Sequence, residues 1–132
     1  MSLKICAACG CNMGKIRANN EDNFYFNGDI LPADNRALST VLTAEASAEG
    51  EFCAAVFDGM GGEQYGELAA YAAARQMKER LAVGAWKEQG TEARLETLTV
   101  DLNAAVLHKA RELLTRHMGA TLAGLFFRRG TA

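Results

Sequence analysis

The sequence predicts an α+β domain, and three features carry that expectation. The run Phe52-Cys53-Ala54-Ala55-Val56-Phe57 is apolar and stops at Asp58, with Gly59, Gly61 and Gly62 just beyond. That is the pattern of a buried strand delivering a carboxylate to a sheet edge, followed by a backbone free to turn sharply. From Glu63 to Val83 the periodicity changes: Leu68, Ala69, Ala72, Ala73, Met77 and Leu81 recur at three- and four-residue steps, the stripe of an amphipathic helix. Thr91 to His117 repeats it with Leu95, Leu98, Leu102, Val106, Lys109 and Leu113 on one face. Both helices read as cover for a sheet, and the many alanines of the first imply a close approach to it.

The remaining elements follow in chain order. Met1-Ser2-Leu3 fits no pattern and reads as an expression-vector scar. Lys4 to Cys11 is a first strand and Asn23 to Asn27 a second. The connection Gly14 to Asn23 is polar and asparagine-rich, which by itself describes a solvated turn. Gly28 to Glu51 holds the single proline, Pro32, and reads as a long connection with a brief strand around Thr40 to Thr43. Gly84 ends the first helix, Trp86 fills the junction of the two helices, and Thr91 is the expected N-cap of the second. Gly119 breaks that helix, Thr121 to Phe127 gives a last strand, and Arg128-Arg129-Gly130 a turn.

Length and composition bound the function. At 132 residues with 49% apolar residues, the chain fits a single domain spanning 1–132 with a real core. A net charge of −2 supplies no basic field for nucleic acid or anionic lipid, so neither is an expected partner. No apolar run reaches the roughly 18 residues of a membrane span, and the N-terminus lacks a signal-peptide pattern, so the expected location is cytoplasmic. Cys6, Cys9 and Cys11 invite a zinc or redox reading. No second paired set completes a ligand shell, however, and Ile5 to Cys11 equally suits a buried strand, so small core residues are the expected role. His108 and His117 lie nine positions apart, a spacing that does not place two ligands on one helical face.

Two acidic points carry the chemistry. Asp58 ends one strand, Glu21 and Asp22 precede another, and pairing of those strands would bring the carboxylates within a few ångströms. Hard oxygen ligands converging in this way suit Mg²⁺ or Mn²⁺, and Arg17 adds a fork shaped for a phosphate oxyanion. Two ions about 3.5–4 Å apart would activate a bridging water for phosphoryl hydrolysis. There is neither a Gly-x-Ser-x-Gly elbow nor a Gly-x-x-x-x-Gly-Lys-Ser/Thr phosphate loop.

Arg17-Ala-Asn-Asn-Glu21-Asp22-Asn23, Val56-Phe57-Asp58-Gly59-Met60-Gly61-Gly62 with Gly66-Glu67, and Met118-Gly119-Ala120-Thr121 occur in that order. Together they resemble the motif series of the metal-dependent type 2C (PPM) protein serine/threonine phosphatases, most closely the bacterial branch. The resemblance spans nearly the whole chain. It implies an α-β-β-α sandwich, two Mn²⁺ or Mg²⁺ ions, and a phosphoprotein substrate made by a serine/threonine kinase. Asp58 resembles the carboxylate bridging both metals, and the Gly59 carbonyl a backbone ligand of one. Glu21 and Asp22 match the acidic pair that holds the second metal or its waters, and Arg17 the residue that grips the phosphate. Asp58 and Asp22 are thus the expected catalytic residues.

The sequence departs from the family at two points. Where many eukaryotic relatives carry a histidine able to protonate the leaving group, Met60 has no proton to give. The family's later Gly-Asp-Ser-type motif and two further aspartates have no counterpart here, so the resemblance covers the family's N-terminal half. The implied chain is a partial domain with an incomplete metal site, inactive by itself and prone to self-association. The alternative is a non-catalytic phosphatase-like regulatory or interaction module; a scaffold organised by Cys6, Cys9 and Cys11 is a third reading.

Overall fold

A computed structural model describes residues 4–47, 50–60, 65–83 and 90–128. The readings placed on Met1-Ser2-Leu3, Gly61-Gly62, Gly84, Trp86 and Arg129-Gly130 lie outside them. The described elements run β1 (Lys4–Cys9), β2 (Asp22–Phe26), β3 (Asp29–Ile30), β4 (Leu42–Ser47), β5 (Glu51–Met60), α1 (Gly66–Ala82), α2 (Thr91–Glu112), β6 (Gly119–Ala120) and β7 (Ala123–Arg128). The chain is α+β.

β5 is the central strand. It pairs antiparallel with β2 along one side and with β7 and then β6 along the other, while β3 extends the sheet beyond β2. Successive side chains of a strand point to opposite faces; on β5 the helix face is buried from Cys53 to Gly59, whereas the ribbon face is covered at Phe52 and opens to solvent by Val56, which is 58% exposed. Cys53, Ala55 and Phe57 face the helices with Tyr25, Met77, Leu98, Leu102 and Val106. Phe52 faces the other way with Phe24, Phe26 and Leu31, against a separate two-stranded ribbon of β1 and β4. Phe26 and Phe52 meet edge to face at 5.7 Å, the arrangement their ring quadrupoles favour. Ribbon, sheet and helices therefore stack as three layers around two apolar seams.

α1 lies directly on the sheet, and Ala69, Ala70, Ala73 and Ala74 on its buried face hold that contact close. α2 packs on α1 through one ridge of four-residue steps, Arg94, Leu98, Leu102, Val106 and Ala110. This corrects the expected face: Leu95 is 43% exposed, and Lys109 and Leu113 are only half-buried. α2 also ends at Glu112 and its N-cap is Gly90, with no side-chain cap bond, so neither the extension to His117 nor Thr91 as cap holds.

Strand boundaries also differ from the sequence reading. β5 does not stop at Asp58 but continues to Met60, because β6 supplies partners for Gly59 and Met60. The brief strand expected at Thr40 to Thr43 is instead β4, Leu42–Ser47, paired with β1 along six residues. The four cysteines are free and divide by depth. Cys53 is buried, and burial pushes its thiol up to about 12. Cys9 and Cys11 border the ribbon seam, but Cys6 faces solvent beside Glu45, so the core role does not extend to it. Among the described residues no helix is long and apolar enough to cross a membrane.

Candidate functional site

The β2–β5 register places Asp22 directly opposite Asp58, with Phe24 opposite Val56 two steps further in. Directly opposed residues on antiparallel strands hold their Cβ atoms about 4.5–5.5 Å apart, so the two carboxylates share one face of the sheet, the face turned to the ribbon. Asp58 is not in a loop. Its carbonyl accepts from the Thr121 amide at 2.8 Å and its amide donates to Thr121 Oγ1 at 3.2 Å, so Thr121 holds both polar groups of its backbone. The pair borders an open depression of about 380 Å³, lined by Cys11, Asn12, Asp22, Phe24, Val56 and Asp58 among others.

Partial burial, and then the charge of Asp58, raise the Asp22 carboxyl above the ordinary aspartate range; Arg17 opposes them. Ionised Asp22 therefore costs stability. That cost is absent below the ordinary aspartate pKa and complete above the raised one, so stability falls as pH rises through this window. Asp22→Asn is expected to be more stable than the parent chain at about pH 7 and to lose that advantage at about pH 3. Urea unfolding at the two pH values checks this; an advantage that persists at low pH would have another origin.

Glu21 is not with the pair. It lies one residue before Asp22, and the two-residue alternation turns it away from Asp22. Its carboxyl carbon would sit 2.8 Å from a Cβ built on Gly66, at the start of α1. A carboxylate there favours the helix N-terminus. The Glu21 carbonyl accepts from the Gly59 amide at 3.0 Å. Gly59 itself is pressed against α1: a Cβ on it would come within 2.0 Å of the Gly66 carbonyl oxygen. Arg17 is exposed on the turn before β2, near enough for its charge to act on Asp22. Among the described residues no group of three His, Cys, Asp or Glu is arranged to hold a metal ion.

Asparagines that read as turn residues prove to be buried. Asn20 and Asn23 are each 3% exposed and Asn35 8%. Asn23 Oδ1 accepts from the amides of Phe24 and Leu31, and Nδ2 donates to the Leu31 carbonyl at 3.1 Å, closing the β2–β3 hairpin. A polar residue at an inward position beside Phe24, Tyr25 and Phe26 was a usable signal for Asn23. No local signal marks Asn35, whose partner Asn20 is fifteen positions away. The histidines take surface roles: His108 pairs with Glu112 at 3.2 Å, and exposed His117 lies beyond α2. The chain matches no family model, no curated protein and no solved structure.

Proposed function

We propose that the chain carries a metal-dependent phosphoester-hydrolysing site of the type 2C protein serine/threonine phosphatase kind, and that its helix, sheet and ribbon layers correspond to three layers of an α-β-β-α sandwich. The observation that carries this reading is the facing of Asp22 and Asp58 across β2 and β5. Two carboxylates on one strand face, with the charge of Asp58 adding to the cost of ionising Asp22, fit one hard divalent cation such as Mn²⁺ or Mg²⁺. Such an ion, when bound, polarises phosphoryl oxygens and lowers the pKa of a coordinated water. Asp22 and Asp58 would hold it, with the Gly59 carbonyl as a backbone ligand. Arg17 orients the phosphate through paired N–H donors. Glu21, turned toward Gly66, serves through its carbonyl by fixing Gly59. The substrate class is a phosphoprotein made by a serine/threonine kinase. Four free thiols fit a reducing compartment, so the proposed location is the cytoplasm.

Two side-chain carboxylates make a sparse shell, so these 132 residues are expected to bind Mn²⁺ weakly, with Kd about 10⁻⁴–10⁻³ M, and to turn over slowly by themselves. Calorimetric titration with MnCl₂ and hydrolysis of a phosphothreonine peptide test this. Asp58→Asn is expected to lose both, whereas Arg17→Ala keeps the cation and loses hydrolysis. Equal Mn²⁺ binding by the parent chain and Asp58→Asn would refute the reading. The separation of Glu21 from the aspartate pair favours a second reading, a phosphate-binding module without turnover. Arg17-dependent binding of inorganic phosphate with no hydrolysis at saturating Mn²⁺ would select it.

A further inference from the structure

Asp22 is gripped by two buried amides at both ends of its own backbone. Asn20 Oδ1 accepts from the Asp22 N–H at 3.2 Å. Asn35 Nδ2 reaches the Asp22 carbonyl at 3.5 Å, a long contact, and donates to the Pro32 carbonyl at 3.1 Å. The two amides are joined directly, Asn20 Nδ2 donating to Asn35 Oδ1 at 2.7 Å and to Cys11 Sγ at 3.2 Å. Cys11, just past β1, and Asn35, in the loop after β3, thus meet at Asn20 in the turn before β2.

We propose that Asn20 and Asn35 are positioning residues for Asp22, locking its backbone so that the carboxylate faces Asp58 where one divalent cation can bridge them; this rests on the cation reading above. The chemistry calls for asparagine. Only a side-chain amide offers an acceptor and donors in one plane, and the Asn20–Asn35 bond uses a donor from one and the acceptor of the other. Aspartate at position 20 would keep the contact to the Asp22 amide but set oxygen against Asn35 Oδ1 and add charge beside Asp22. Buried amides satisfied mainly by one another fail together, because removing either leaves its partner unpaired away from water. Groups that orient metal ligands in this way typically contribute 10–100-fold to affinity.

The test uses the full 132-residue chain, ¹⁵N-labelled and titrated with MnCl₂, reading paramagnetic broadening of the Asp22 and Asp58 amide signals. Asn20→Ala and Asn35→Ala are each expected to need about 10-fold more Mn²⁺ for equal broadening. Asn20→Ser, which keeps an acceptor for the amide two residues on, is expected to fall between. Leu102→Ala lowers stability through the α2 core and is expected to titrate like the parent chain, which separates positioning from stability. If both asparagine variants titrate like the parent while Asp58→Asn has lost the broadening, the positioning role is wrong and the cation site stands. If Asp58→Asn is broadened like the parent, the cation reading falls and this inference with it.

Discussion

Gly59→Ala is expected to destabilise the protein by about 3 kcal/mol or more, because the added methyl has nowhere to go. Its Cβ would lie 2.0 Å from the Gly66 carbonyl oxygen, 2.4 Å from the Gly66 carbonyl carbon and 2.6 Å from the Glu21 carbonyl oxygen. All three are backbone atoms, so no rotamer change relieves the clash. Either α1 lifts from the sheet, loosening Ala69, Ala70 and Ala73, or β5 shifts and breaks the Gly59–Glu21 hydrogen bond. Gly66→Ala provides the contrast. Its nearest contact, at 2.8 Å, is the movable Glu21 carboxyl group, and its only backbone contact among the nearest atoms, the Gly59 carbonyl oxygen at 3.0 Å, is far less severe than those at Gly59. Urea unfolding of both variants should rank Gly59→Ala well below Gly66→Ala; equal stabilities would show that the β5–α1 approach is not the constraint described.

Arg94→Ala is expected to cost about 3–5 kcal/mol, a large part of the 5–15 kcal/mol that holds a typical domain together. Arg94 is fully buried, its Nη1 lies 3.2 Å from Glu51 Oε1, and its guanidinium sits 4.7 Å above the Phe126 ring. Glu51 Oε1 also receives Arg128 Nε at 3.3 Å. Truncation therefore removes an ion pair and a cation–π contact and opens a cavity. Arg94→Lys is expected to recover less than half, since an ammonium stacks poorly on a ring and lacks the fork geometry. Arg94→Met retains the apolar stem and should fall nearer the parent chain than alanine does. A denaturation midpoint for Arg94→Ala within error of the parent would count against this buried contact as a source of stability. The network anchors the first residue of β5, at the far end of the strand from Asp58, so it steadies the sheet rather than touching the site.

How far each residue could be read depends on where its partners lie in the chain. β2 and β5 were legible because each holds an apolar or aromatic run, preceded by Asp22 in one and followed by Asp58 in the other, which also marked those two acids. The two helices were legible from periodicity, but the contact face of α2 was not, since Arg94 in the buried ridge looks like a solvent residue until Glu51, forty-three positions earlier, is brought against it. β4 is made of small and polar residues, Leu-Thr-Ala-Glu-Ala-Ser, with weak intrinsic preference; it is a strand because β1 supplies its hydrogen bonds. Glu21 was grouped with Asp22 by adjacency in sequence. Adjacency places two side chains on opposite faces once a strand forms, and the contact with Gly66 takes Glu21 to the helix side.

The meeting of Asp22 with Asp58 is set by the β2–β5 register, whereas the sequence by itself determined the α+β class, the apolar strand at Phe52 to Phe57 and the two helices. These follow from local hydrophobic pattern, and burial of apolar surface is strong enough to impose them in any compact arrangement of the chain. Only the tertiary structure decided that β5 runs on through Gly59 to Met60, that Glu21 leaves the acidic pair, and that Asn20, Asn35 and Arg94 are interior. Each of those outcomes is set by a hydrogen bond or close contact between segments far apart in the chain, and such partners leave no periodic trace in the residues beside them.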